Sequence, residues 1–501
     1  MITSSFAVFA ILAVSAANAL AVNESNLGRR HLVDSKKLRS QIKLEALLEH
    51  AKVLQGFAFA TPERNRLIGS VAHNQTVQYI HDTLTHLGDH YDVTLQPFSV
   101  IAHTGGNYSL TIDGAPTNAS LFEYSPNGSI TELLVPVANL GCEAGDYSDA
   151  VVGKVALISR GDCMFGEKSK MARAAGATGA IIHNNVEGEI SSGTLGPPSS
   201  PAATDYVPTV GVSLAAGTAW RQAIEGGATI TANIVVEGSV FEERSTNNVV
   251  AETKGGNHSD VVFFGAHSDS VSAGPGINDN GSGSIALLEI AKRLIRFDVN
   301  NAVRFAWWSA EEQGLLGSEH WVTTASQEEL EKIRLYLNFD MIASPNYALN
   351  AYDGDGSTFG IAGPPGSAET EKLFHEYFAS VGLNSTAAEF SGRSDYGPFL
   401  DVGIACGGLD TGAEKLKTEE EVQLFGGEAG VAYDVNYHGA GDTIDNLAQD
   451  AFEYNAKAIA HAVAVYGASF KILPPKGPVQ TVARRNIDAG RKVWKGDWLI
   501  A

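Results

Sequence analysis

Cysteine is scarce in this chain, with three residues in 501, and the scarcity narrows the chemistry. Cys142 and Cys163 lie 21 positions apart in one segment, so an oxidising compartment would let them form a bridge worth about 3 kcal/mol. Cys406, in the apolar stretch Val402-Gly403-Ile404-Ala405-Cys406, reads as a small buried residue. A thiol hydrolase would need a histidine positioned beside it, and the sequence shows none. Long apolar runs are also missing: after the N-terminus no segment is apolar and long enough to span a bilayer. Basic residues are in deficit, 35 Lys and Arg against 57 Asp and Glu, giving a formal charge of −22 that repels phosphate backbones and argues against nucleic acid as a partner. Hydrophobic residues make up 44% of the chain, enough for a large core divided over more than one domain.

The first residues carry an apolar run from Phe6 to about Ala17, then Ala17-Asn18-Ala19 and Ala19-Leu20-Ala21 as cleavage sites. Residues 1–21 therefore read as a signal peptide, although the n-region has no Lys or Arg. Acceptor sequons begin at Asn74, Asn107, Asn118, Asn127, Asn257 and Asn384, in keeping with the secretory pathway and an extracellular or vacuolar destination. A seventh, Asn280-Gly281-Ser282, directly follows a candidate metal ligand, and a glycan there would obstruct the site. Residues 22–40, with Arg29-Arg30 and Lys36-Lys37, read either as a propeptide or as a solvated leader.

From about Leu38 the apolar positions Leu38, Ile42, Leu47, Leu48, Ala51 and Leu54 share one face at helical spacing, which predicts an amphipathic helix. Composition then divides the chain. Residues 41–111 and 241–475 belong to one larger domain, 112–240 form a Gly-, Ala-, Val- and Ser-rich insert, and 476–501 are a tail. Within the insert, Lys154 to Ser159, Phe165 to Ala175 and Gly179 to His183 predict a βαβ unit. After residue 245 three apolar strands follow one another, ending at His267, just before Glu311, and at Asp340. Continuous apolar strands belong to a mostly parallel sheet covered on both faces, and such sheets bind ligands beyond their carboxyl ends. The fold class is α/β.

At that edge the sequence gathers metal-ligand types. His267-Ser268-Asp269, then Asp279 in Gly276-Ile277-Asn278-Asp279-Asn280-Gly281-Ser282-Gly283, and the adjacent Glu311-Glu312 provide imidazole and carboxylate donors. A hydrolase with a pair of divalent metals needs such donors, one carboxylate shared between ions roughly 3.5–4 Å apart, and a further carboxylate to move a proton. Flanking glycines let the backbone near Asp279 approach a metal, although alone Asp279 reads more readily as a turn residue or helix N-cap. Asp269 suits orienting the imidazole of His267 better than ligation. Glu311-Glu312 taken alone reads as an acidic pair at the positive end of a helix running through Gly314, Leu316 and His320.

Three motifs, His267-Ser268-Asp269 with the Asp279 loop, Trp308-Ser309-Ala310-Glu311-Glu312-Gln313-Gly314-Leu315-Leu316-Gly317-Ser318, and Asn338-Phe339-Asp340-Met341, together with Tyr437-His438, resemble those of the co-catalytic zinc aminopeptidases. The likeness runs over roughly residues 40–470 and is greatest to the fungal aminopeptidase Y-like group with a protease-associated domain. It implies a three-layer zinc-peptidase domain with the smaller α/β domain inserted, and two zinc ions per chain. By resemblance His267 and Asp340 would hold one zinc, Glu312 and His438 the other, and Asp279 would bridge them. Glu311 would be the general base and Tyr437 would stabilise the oxyanion. Acidic residues near the metals would receive the free α-amino group of peptide substrates, and Arg393 and Asp395 sit in a matching loop as pocket candidates. Many relatives carry cysteines where Asn436 and Gly441 stand here, which implies that a local bridge beside His438 is absent.

Two other readings compete. A carboxypeptidase or dipeptidase would need a cationic pocket for the substrate carboxylate, for which Arg393 is the candidate. A non-catalytic receptor-like protein would be expected to have lost ligands, and this chain keeps all of them. Glutaminyl cyclase-like chemistry with one zinc fits poorly with Asp279 as a bridge. Expected partners are peptides with free N-termini, and the sequence leaves a monomer or an oligomer of unknown order equally open.

Overall fold

The computed structural model describes residues 30–479 except 162, 186, 191, 192, 201 and 203. The signal-peptide reading and most of the C-terminal tail lie outside these residues. Two eight-stranded sheets organise the described chain. The larger has the strand order Thr386–Ala388, Asn350–Tyr352, Cys406–Asp410, Ile333–Phe339, Asn257–His267, Asn301–Trp308, Val240–Thr253, Tyr91–Thr104. Its four central strands, from Cys406–Asp410 to Asn301–Trp308, are parallel, and antiparallel pairing is confined to the flanks.

The apolar runs explain this arrangement. Val261 to Ala266, Ala302 to Trp308 and Ile333 to Phe339 are buried on both faces, as strands in the middle of three layers must be. One face packs on helices Leu44–Phe59, Gly283–Leu294 and Gln449–Ala468. The other holds an aromatic cluster in which Phe263, Trp308, Trp321, Tyr336 and Phe399 meet, with the Tyr336 and Phe399 rings stacked at 3.8 Å. The parallel register aligns His267 with Trp308 and Gly265 with Asn338, so the three predicted strands end at one edge.

The smaller sheet lies between residues 107 and 237 and contains the expected βαβ unit as Val155–Ser159, Phe165–Ala174 and Gly179–His183, with parallel strands. It also takes in Asn107–Ile112, so the junction falls near Gly105-Gly106 and not at residue 112. The Cys142–Cys163 bridge is formed, with Cα atoms 5.8 Å apart. Cys406 is fully buried against the carbonyls of Tyr396 and Ile404, and burial pushes its thiol well above the usual range.

Two local expectations change. The helix from Leu38 is two helices, Ser35–Gln41 and Leu44–Phe59, because Ile42 and Lys43 are extended. Residues 31–41, part of the stretch read as propeptide or leader, are built into the fold: His31–Leu32 pairs with Phe297–Asp298, and Val33 and Leu38 are buried in the core. The asparagines that begin the six sequons, Asn74, Asn107, Asn118, Asn127, Asn257 and Asn384, are exposed, whereas Asn280 is fully buried and donates to the carbonyl of Phe339 at 2.8 Å.

His73 is fully buried under the functional edge, its Nε2 3.1 Å from the hydroxyl of Ser268. Burial holds its pKa down to about 4 against an ordinary 6.5. Between those values the unfolded chain binds the extra proton, so His73 stabilises the fold above pH 6.5 and that contribution is lost as pH falls through 4. The loss is on the order of 2–3 kcal/mol. Thermal midpoints of the wild type and His73→Leu, compared from pH 7.5 to 4.5, should show the wild type losing ground to the variant as pH drops.

Candidate metal centre

The site grows from the carboxyl edge of the larger sheet. His267 is the last residue of its strand and is 1% exposed. Two residues on, Asp269 accepts the backbone N–H groups of Glu311 and Glu312 at 3.3 and 3.4 Å, tying their turn to the His267 strand. That turn is not a helix. The helix begins at Leu316, because Gly314 and Leu315 hold left-handed backbone with φ of 108° and 63°. Glu311 and Glu312 are therefore presented by a turn, which corrects the reading of the pair as a helix start.

Asp279 is pinned from behind. Both oxygens of the Asp442 carboxylate accept consecutive N–H groups, of Asn278 at 2.7 Å and of Asp279 at 2.9 Å. Asn278 in turn donates to Asp434 at 2.7 Å, and the Asp279–Asn280 peptide bond is cis. Asp340 follows its strand directly and accepts the Ser394 hydroxyl at 2.5 Å, leaving its other oxygen buried without a hydrogen bond.

These supports bring five side chains together. His267 Nε2 lies 3.2 Å from Asp279 Oδ1 and 3.4 Å from Asp340 Oδ1. His438 Nε2 lies 3.2 Å from Asp279 Oδ2 and 3.1 Å from Glu312 Oε2. Zinc ligands 2.0–2.2 Å from the ion at tetrahedral corners stand roughly 3.3–3.6 Å apart, so these four imidazole–carboxylate contacts have nearly the spacing of neighbouring ligands on one ion. Asp279 gives one oxygen to each histidine. Glu312 Oε1 and Asp340 Oδ1 are buried with no hydrogen-bond partner, as donors aimed at a cation would be.

Electrostatics agree. Burial pushes Glu311 well above the ordinary carboxylate range, helped by Asp340, Asp395 and Glu312 and opposed by His267. Glu312 is raised mainly by burial too, against the pull of His438. Burial alone would lower His267 and His438, but surrounding carboxylates hold both well above normal. Asp279 moves the other way: burial would raise it, yet the two imidazoles keep it low. Carboxylates and imidazoles raised together signal a shortage of positive charge, which a bound cation would fill.

Glu311 completes the set, its Oε2 3.9 Å from His267 Nε2. Asp395 does not line an open pocket: it is fully buried, pushed up to about 8 mainly by burial with Asp340 and Asp269 adding to it, and backs the site instead. Arg393 donates to Glu414 at 2.6 Å and to the Tyr437 hydroxyl at 3.2 Å. Tyr437 stacks on His438 with ring centroids 3.8 Å apart. Asn436 reaches over Gly441, where a Cβ would lie 2.0 Å from Asn436 Oδ1, and donates to Asn446 at 2.7 Å.

Three residues escaped the sequence reading. Arg66 is fully buried and donates to the carbonyls of Ser268, Pro275 and Gly276, holding the loop between His267 and Asp279; its pKa falls to about 10 by burial despite Asp269 and Asp442. The insert sends two more. Phe122 and Tyr124 are buried in the insert's core, and the charges of Glu312, His438 and Asp269 act on Glu123 between them. Burial and Glu312 push its carboxyl up to about 8. Arg160 lies where Arg393, Glu414 and Tyr437 act on it. Single charges far apart in sequence carry no spacing signal.

Residues 248–463 match the model of peptidase family M28, and residues 130–220 that of the PA domain. "Probable leucine aminopeptidase 2" of Aspergillus fumigatus is 50% identical over 92% of this chain and 91% of its own length. Leucine aminopeptidase 2 of Arthroderma otae is 48% identical over 89% and 88% respectively. Among solved structures, an aminopeptidase from Aneurinibacillus sp. strain AM-1 superposes with a TM-score of 0.70 at 27% identity, covering 89% of this chain and 98% of that one. A zinc aminopeptidase from Bacillus subtilis gives 0.59 at 25% identity, covering 85% and 95%.

Replacing Arg66 with Met should strand three buried carbonyls and remove a buried guanidinium on which Asp269 and Asp442 act. A loss of about 3–5 kcal/mol in chemical unfolding is expected, with a parallel loss of bound zinc measured by atomic emission.

Proposed function

The chain belongs to peptidase family M28 with an inserted PA domain, and from that premise we propose that it is a two-zinc aminopeptidase releasing single residues from the free N-termini of peptides. The observation that carries this is Asp279, with one oxygen 3.2 Å from each of the two histidines. His267, Asp340 and Asp279 would hold one ion, and His438, Glu312 and Asp279 the other. Bound there, the ions would supply Lewis acidity, polarising the scissile carbonyl and acidifying an attacking water.

The chain's own groups do the rest. Glu311 takes the proton of the attacking water and hands it to the departing amine, a role suited to a carboxylate whose basicity burial has raised. Asp269 keeps the Glu311-Glu312 turn and the His267 ring in place. The Tyr437 hydroxyl, supported by Arg393, faces the developing oxyanion. Glu123, reaching in from the insert beside Glu312, receives the substrate's α-ammonium. The carboxypeptidase alternative is weakened because Arg393 is already engaged by Glu414 and Tyr437. A signal peptide and six sequons with exposed asparagines support a secreted or vacuolar glycoprotein.

Free amino acids should be released from unblocked and C-terminally amidated peptides but not from N-acetylated ones, with activity lost on chelation and restored by zinc. Metal analysis should return two zinc ions per chain; a demonstrably two-zinc protein that cleaves nothing would instead be a binding protein. Glu311→Gln should keep its zinc while kcat falls about 10²–10⁴-fold. Glu123→Gln should raise KM about tenfold with a smaller change in kcat; equal loss in both would assign Glu123 to the transition state.

A further inference from the structure

A second group of carboxylates lies away from the centre described above. Strand Asn350–Tyr352 runs into Asp353-Gly354-Asp355-Gly356-Ser357, and helix Ser367–Ser380 brings Glu371 back against that loop. One oxygen from each of Asp353, Asp355 and Glu371 lies within 4.8 Å of the others. Asp353 and Glu371 are 1% and 7% exposed.

The loop is folded around these oxygens. The N–H groups of Thr358 and Phe359 donate to Asp353 Oδ2 at 3.0 and 2.7 Å. Those of Gly354 and Asp355 donate to Glu371 Oε2 at 2.9 and 3.1 Å, and that of Ser357 to Asp355 Oδ1 at 2.7 Å. Among the described residues their ion-pair partner is His375, 3.4 Å from Glu371 Oε1. Asp353 Oδ1 is buried with no hydrogen-bond partner at all.

A buried, unpartnered carboxylate oxygen beside two more carboxylates is costly unless a cation answers it. The donors here are all oxygens, at alternate positions 353 and 355 with the Ser357 hydroxyl next in step, the rhythm by which loops encircle a hard ion. Histidine and cysteine, which would favour zinc, are absent from the trio. Oxygens on opposite sides of a calcium ion stand at most about 5.2 Å apart, so a 4.8 Å spread fits within its coordination sphere. The tight loop needs its glycines: Gly356 has φ of +71°, and a Cβ at Gly354 would lie 2.2 Å from the Ser367 carbonyl.

We propose that Asp353, Asp355 and Glu371 form a calcium site, separate from the zinc centre, that ties the end of an outer strand to the following helix. Tyr352, next to the site, packs its ring 5.1 Å from Phe390 and 4.7 Å from Tyr396. Those residues flank the loop that carries Ser394 and Asp395, so the ion consolidates the wall behind Asp340.

The test uses full-length, zinc-loaded protein freed of calcium and titrated with calcium chloride, by calorimetry and by thermal midpoint. One saturable binding event and a midpoint raised by a few degrees are expected. Asp353→Asn and the milder Asp355→Asn, whose site residue is exposed, should each bind more than about tenfold more weakly while keeping zinc content and peptidase turnover. Wild type that binds no calcium, or variants that bind it equally well, would overturn the proposal. So would a midpoint that responds to acidification but not to calcium, since the cluster would then share a proton.

Discussion

Buried negative charge is the constraint around which this molecule is arranged. Asp269, Asp279, Glu311, Glu312, Asp340 and Asp395 converge where parallel strands end, answered from within the chain by His267, His438 and Arg66. In a low dielectric such an imbalance cannot persist, and the group must take up protons or metal ions. The opposed shifts show how the chain apportions the strain: the Asp279 carboxylate shared between imidazoles is held low while burial forces Glu311 and Glu312 upward.

Holding like charges together requires rigid backing, which the fold supplies in layers. The sheet fixes His267 and Asp340, and Asp269 fastens the Glu311-Glu312 turn to the same edge. Asp442 grips two successive amides ahead of the cis bond at Asp279, and Arg66 clamps the preceding carbonyls. Asp279, Asp340 and the Glu311-Glu312 turn are thus held by buried hydrogen bonds, which help a metal centre keep its geometry.

Sequence patterns revealed what local spacing can encode. The apolar strands ended where expected, and the five candidate ligands, though drawn from separate stretches between 267 and 438, meet in one cluster. Taken alone the acidic pair at Glu311 favours a helix start, yet left-handed backbone at Gly314 and Leu315 delays the helix to Leu316. Arg66, Glu123 and Arg160 gave no warning, since each acts alone and reaches its partners across hundreds of residues of chain or across a domain junction. The hydrogen bond from Asn436 to Asn446 was equally hidden, since two single amides carry no spacing signal.

The strands on either side of the insert, Tyr91–Thr104 and Val240–Thr253, pair antiparallel along their whole length, with Thr104 opposite Val240. To the larger domain, everything between those two residues is therefore the turn of a β-hairpin, entered and left at a single rung. A body attached at such a point can be lengthened, exchanged or lost without rethreading the sheet. The peptidase framework and the inserted domain are thus free to change on separate evolutionary schedules.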